Sequence, residues 1–92
     1  MIVRIMGEGQ YKLSDDVRQR VNELDNAAVA AVSGDNEDGF HEAFEDMLQL
    51  IRSEGEHVAD DDIEVSDVIV PPADTSFEEA AEEFSGDGLI PD

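Results

Sequence analysis

Two apolar stripes of helical period, with a short break at Gly34-Asp35-Asn36 between them, constrain this chain more than any other feature. The first stripe is Val17, Val21, Leu24, Ala28, Ala31 and Val32, which recur every three or four residues. The second is Phe40, Ala43, Phe44, Met47, Leu48 and Ile51. So short a connection folds one helix back along the other, and the stripes therefore specify an antiparallel helix pair. The ends are marked as well. Ser14 suits the first N-cap, and Asp15 and Asp16 suit the positive end of the helix dipole. Gly34 fits the position just past that helix, where glycine is favoured. Asp35 or Asn36 can cap the second helix, Arg52 falls in its last turn and Gly55 closes it.

The remaining segments read as a sheet and a third helix. Ile2, Val3, Ile5 and Met6 form a nearly continuous apolar run, and Tyr11 and Leu13 alternate around Lys12. Gly7-Glu8-Gly9 between them tolerates positive φ, so the spacing predicts a β-hairpin, or one long strand bulged at the glycines. Residues 56–62 read as an acidic loop. Ile63 and Val65 flank Glu64, and Val68-Ile69-Val70 follow, as one or two short strands broken at Ser66-Asp67 and stopped by Pro71-Pro72. Ser76 with Glu79 makes a capping box for a two-turn helix bearing Phe77, Ala80, Ala81 and Phe84. Gly86 and Gly88 end it, and Leu89-Ile90-Pro91 form an apolar tip. The expected fold is one α+β domain over residues 1–92. A small antiparallel sheet, from the N-terminal hairpin and residues 63–70, packs on the helix pair, with a short third helix near the C-terminus.

Charge limits the partners. Twenty-five acidic residues face five basic ones, for a formal net charge of −20, and Lys12 is the single lysine. With 40% apolar residues the chain is too hydrophobic for a disordered acidic tail, so a core is expected. That core is small, because a chain of this length buries only roughly 60–65% of its unfolded surface. The dispersed carboxylates suit a protein living in molar salt, where a Debye length of about 3 Å screens self-repulsion. Two other readings are a nucleic-acid mimic that occupies a basic groove, and an ordinary acidic surface for a basic partner. All three disfavour direct contact with nucleic acid or anionic lipid, because no basic patch exists to neutralise phosphates. There is no cysteine, hence no disulfide and no thiolate chemistry. No apolar run approaches the ~18 residues of a membrane span. The opening MIVRIM is too short and too weakly basic for a signal peptide, and a cytoplasmic location is expected.

The motifs that suggest chemistry are incomplete. From Gly34 the chain reads GDNEDGFHEAFE, which lays Asn36, Asp38, Gly39 and Glu45 on the ligand and turn positions of a calcium loop. Gly34 has no side chain for the first ligand position, His41 replaces an apolar residue, and the apolar stripe runs straight through. His41-Glu42 begins a zinc-protease pattern, but Glu45 stands where the second histidine belongs, and His57 lies beyond the helix. Asp60-Asp61-Asp62 with Glu64 reads as a solvated loop. Gly7 and Gly9 lack the rest of a dinucleotide fingerprint. No serine is paired with a histidine base. The sequence supports no catalytic residue, no metal ligand and no cofactor, and the protein reads as a non-enzyme.

Protein contacts fare better. Arg4 is the lone charge in its apolar strand and should pair with a local acid, or else clamp a partner's carboxylate. Ile69-Val70-Pro71-Pro72 and Leu89-Ile90-Pro91 read as core lids or as docking patches.

The opening Met1-Ile2-Val3-Arg4-Ile5-Met6-Gly7-Glu8-Gly9-Gln10-Tyr11 resembles the PspA-associated protein family, PspAA. Residues 66–74, Ser-Asp-Val-Ile-Val-Pro-Pro-Ala-Asp, and 87–91, Asp-Gly-Leu-Ile-Pro, are similar to it too. The resemblance covers essentially the whole chain and is most specific at the opening. It implies an accessory role in the phage-shock envelope-stress response, beside PspA, an ESCRT-III-like membrane-remodelling protein. It implies no catalytic residues, and the acidity suits a haloarchaeal member. Any membrane association would pass through PspA or another component of that system. The hairpin face with Arg4 and Tyr11, or Ile69, Val70, Pro71 and Pro72, or Leu89, Ile90 and Pro91, would supply the contact. The alternatives are an acidic mimic regulating a basic DNA-binding protein, and a small metal-binding protein.

Overall fold

A computed structural model describes residues 1–59 and 65–84. In it the two apolar stripes form α1 (Asp15–Ser33) and α2 (Glu37–Glu54), packed along one another. The Ser14 hydroxyl accepts from the Val17 N–H, and the Asn36 side chain accepts from the Gly39 N–H, so each helix starts on a side-chain cap. Between them the left-handed residue is Asp35 (φ 54°), one place after the expected Gly34. Asp35 N–H donates to Val32 O and Asn36 N–H to Ala31 O, which satisfies the last carbonyls of α1.

The hairpin expected at the N-terminus is present as β1 (Ile2–Ile5) and β2 (Gly9–Lys12). Gly7 and Gly9 hold φ of 85° and 124° in its turn, a backbone region open to glycine at little cost. Two further strands complete the sheet. The first, β3 (Glu56–His57), pairs antiparallel with β2, where the sequence reads as acidic loop. The second, β4 (Val68–Val70), is the strand expected before Pro71-Pro72. The order is β3-β2-β1-β4.

The α+β architecture is the expected one, but one pairing differs from a purely antiparallel sheet: β4 runs parallel to β1. Asp67 explains the direction. Its N–H donates to Ile2 O, and its carboxylate accepts from the Ile2 N–H, both at 2.8 Å. The chain is thereby pinned at the start of β1 and leaves in the same direction. Gln10 Nε2, donating to Ser66 Oγ at 2.7 Å, holds the same approach from the β2 side.

In the sheet's inner face, Val3 and Ile5 lie beside Val68 and Val70 in register, and all four are buried against the helix stripes. The short α3 (Phe77–Glu83) begins on the expected capping box, with the Ser76 hydroxyl accepting from the Glu79 N–H. It brings Phe77 and Phe84 onto Phe40, with ring centroids 5.7 and 5.2 Å away, while Phe44 stacks on Phe40 at 5.4 Å. All four phenylalanines of the chain therefore meet at the start of α2.

One buried residue departs from the stripe. Asp25 is fully buried on α1, while Leu24 beside it is only half-buried. Asp25 follows Val21 by four residues and precedes Ala28 by three, so it lies on the core line by geometry. It takes part in a polar interaction there.

A candidate docking face at the β4 edge

The alternation of a strand fixes what the outer face of the sheet displays. With Val3 and Ile5 turned inward, Arg4 is turned outward, and its register partners are Gln10 on β2 and Ile69 on β4. Gln10 is buried, whereas Ile69 is 56% exposed. Among the described residues only three large apolar side chains are this open: Met6 at 47%, Ile69 at 56% and Val65 at 89%. All three belong to β4, its approach or the end of β1. Met6 and Ile69 line one cleft, and exposed apolar side chains brought together on a carboxylate-rich surface make a candidate contact patch.

The patch has relief. Met6, Ile69, Pro71 and Pro72 make the apolar floor of a cleft of about 510 Å³, with Thr75 and Glu79 on the far wall. One wall is the sheet edge and the other is the start of α3. A second hollow, of about 320 Å³, is lined by Arg4, Gly7, Glu8, Gly9, Gln10 and Val58. Arg4 thus borders this hollow. Among the described residues no carboxylate lies within ion-pair distance of its guanidinium, contrary to the local pairing expected for it. The strand geometry is the reason, since its register neighbours are an amide and an isoleucine.

The acids nearest the cleft are on α3. Glu79 accepts from the Ser76 hydroxyl at 3.0 Å, while Glu78 and Glu82 are exposed. Residues 53–92 contain fourteen acidic residues and neither lysine nor arginine, so this half of the chain has no cation of its own to set against them. The Glu8 carboxylate behaves differently. The Arg52 guanidinium donates to it from Nε and Nη2, which holds Glu8 below the usual carboxylate range and raises Arg52.

A scan against protein-family models matches the chain to PspAA, described as PspA-Associated protein, over residues 1–92. The chain belongs to the PspAA family. No curated protein and no solved structure gives a match. The PspAA assignment takes in all three stretches that carry the sequence resemblance, and it places the chain in the phage-shock system as a PspA-associated accessory protein.

The expected contact residues of this PspAA chain do not all share one surface. Arg4, Ile69, Pro71 and Pro72 come together on the outer face and its edge. Val70 does not join them: paired with Ile5, it is fully buried and serves the core. Tyr11 lies opposite Val3 on the inner side, half-buried and edge-on to His57, with centroids 5.2 Å apart. Leu89, Ile90 and Pro91 lie outside the described residues. The calcium-loop positions are strung along a helix start: Asn36 caps α2, Asp38 and Gly39 are in its first turn, and Glu45 is mid-helix. His41 lies 3.8 Å from Glu37 on the same exposed helix face, which is ordinary spacing of residues four apart. Among the described residues no three His, Asp or Glu side chains converge as a metal site, and no helix is long and apolar enough to cross a membrane.

Sequence reasoning missed Met6, Thr75 and Glu79 as parts of one cleft. Met6 carried a usable signal, because it follows the Val3 and Ile5 alternation on the outward parity. The approach of α3 to β4 carried none, since it depends on ring packing between Phe77, Phe84 and α2.

Proposed function

We propose that this protein is a non-enzymatic adaptor of the PspA system, acting by direct contact with PspA or another component of that system. The observation that carries the reading is the exposed edge of β4, where Ile69 and Met6 stand beside an Arg4 that has no acid of its own among the described residues. A surface of net charge −20 is repelled by anionic lipid, so an effect at a membrane has to pass through a protein. The same charge balance supports a salt-adapted member of the family. In molar salt, long-range steering is weak, and docking must rest on short-range apolar contacts and hydrogen bonds.

The test is light-scattering chromatography of this chain with the PspA of its own organism, at about 3 M KCl and again in dilute buffer. A complex that co-elutes at high salt, and is lost when Arg4 and Ile69 are both replaced by Ser, is the expected result. A folded chain that never co-elutes with PspA would sink the PspA reading.

A further inference from the structure

We propose that the cleft between β4 and α3 takes an amphipathic helix of a partner protein, apolar face inward, with lysine or arginine along the flank that meets α3. This rests on the docking reading of the same surface and adds the chemistry and shape of what docks.

The shape follows from the edge. In the parallel pairing of β4 with β1, Met6 N–H donates to Val70 O and Asp67 N–H donates to Ile2 O, with Arg4 opposite Ile69. Val68 and Val70 therefore turn their peptide groups toward β1, and Ile69 alone turns its N–H and C=O outward. Pro71 and Pro72 follow at once and have no N–H to offer. An added strand would find one residue to pair with, which is too little for β-augmentation. A helix needs no backbone pairing. It needs an apolar trough, and Met6, Ile69, Pro71 and Pro72 supply one of about 510 Å³. That is ample for side chains from successive turns of one helix face, which lie about 5–6 Å apart.

The charge follows from the wall. Glu79 lines the cleft, Glu78 is exposed on the same helix, and Asp74 is exposed just before it. No lysine or arginine occurs anywhere in residues 53–92 to balance them. A partner flank that met this wall with acids would add like charge, whereas a basic flank neutralises it at contact distance, where salt screens least. The same argument disfavours a second copy of this chain, whose own surface carries −20.

The probe is a synthetic helix of about 18 residues, five turns, with leucine at i, i+3, i+4 and i+7 spacing and lysine flanks. Its twin has glutamate flanks. Fluorescence anisotropy is measured for both against the wild-type chain, Ile69→Ser and Glu79→Gln, each checked for folding by circular dichroism. The lysine helix should bind at least about tenfold tighter than its twin, and should lose about tenfold in Ile69→Ser, the range of a central apolar anchor. Glu79→Gln should weaken the lysine helix and not the glutamate one. Equal binding of the two helices, or lysine-helix binding indifferent to Ile69→Ser, overturns the proposal, the second outcome being diffuse attraction to a polyanion. Concentration-dependent dimerisation abolished by Ile69→Ser would assign the cleft to a second copy and overturn it too. Because no PspA is present, this result stands apart from the co-elution test above.

Discussion

Arg52, in the last turn of α2, donates two hydrogen bonds to the carboxylate of Glu8, which lies in the turn between β1 and β2. The pair ties the tip of the hairpin to the end of a helix 44 residues away in sequence. Both side chains are about a third exposed, at 37% and 31%, so the bond is worth no more than ~1 kcal/mol.

The pair has a pH signature. The folded Glu8 carboxyl titrates below the ordinary glutamate range, first because Arg52 hydrogen-bonds the ionised form. Its stabilising contribution is therefore complete above the unfolded value and is lost as pH falls through the folded one. Glu8→Gln should destabilise the protein at neutral pH by up to ~1 kcal/mol, with the difference from wild type vanishing in acid. Urea denaturation across the acid range measures this; a gap that widened on acidification would contradict it.

Phe40 is the hub of the aromatic cluster, fully buried and in ring contact with Phe44, Phe77 and Phe84. Phe40→Ala should cost about 3–5 kcal/mol, much of the stability of a domain this size. Phe77→Ala, at a half-buried ring, should cost less and act first on α3. Hydrogen exchange of the α3 amides distinguishes them, since Phe77→Ala should release α3 before the sheet.

Gly55 closes α2 where there is no room for a side chain. An added Cβ would press on the Ile51 carbonyl and come within 3.1 Å of Leu13 and 3.2 Å of Tyr11. The Ile51 carbonyl is backbone and cannot step aside as a flexible chain would. Gly55→Ala should therefore destabilise by about 1–3 kcal/mol, whereas a helix-ending Gly→Ala in open space would be far milder. Thermal melts of Gly55→Ala against wild type settle the point.

Salt should stabilise the wild type. With a net charge of −20 held in a small domain, repulsion among carboxylates opposes compaction, and screening relieves it. The melting temperature should climb steadily from about 0.1 M to about 3 M KCl, and guanidinium should be avoided as denaturant because it screens as well as unfolds. A melting temperature flat across that range would remove the case for salt adaptation.

Local signals carried most of this fold in the sequence. Ser14, Asn36 and Ser76 cap the three helices, and Gly7 and Gly9 turn the hairpin, because each acts within four residues of itself. What sequence left open depends on distant partners. Glu56 and His57 form a strand only because β2 offers a free edge, and nothing in two exposed polar residues announces that. The direction of β4 was hidden for the same reason, since it depends on Asp67 reaching Ile2. Asp25 was invisible to a hydrophobic count, though its spacing from Val21 and Ala28 placed it on the core line. Of the candidate docking face, sequence named Ile69, Pro71, Pro72 and Arg4, which the structure places on one surface, while Val70 is separated from them by strand parity.

Among the described residues, α3 shares no backbone hydrogen bond with the sheet; its position comes from Phe77 and Phe84 lying against Phe40 and Phe44. The far wall of the cleft is thus mounted on rings while the near wall is fixed by a strand ladder. The width of the cleft is therefore set by aromatic packing in the core and not by strand pairing, so a substitution among those rings would reshape the cleft while leaving every sheet hydrogen bond in place.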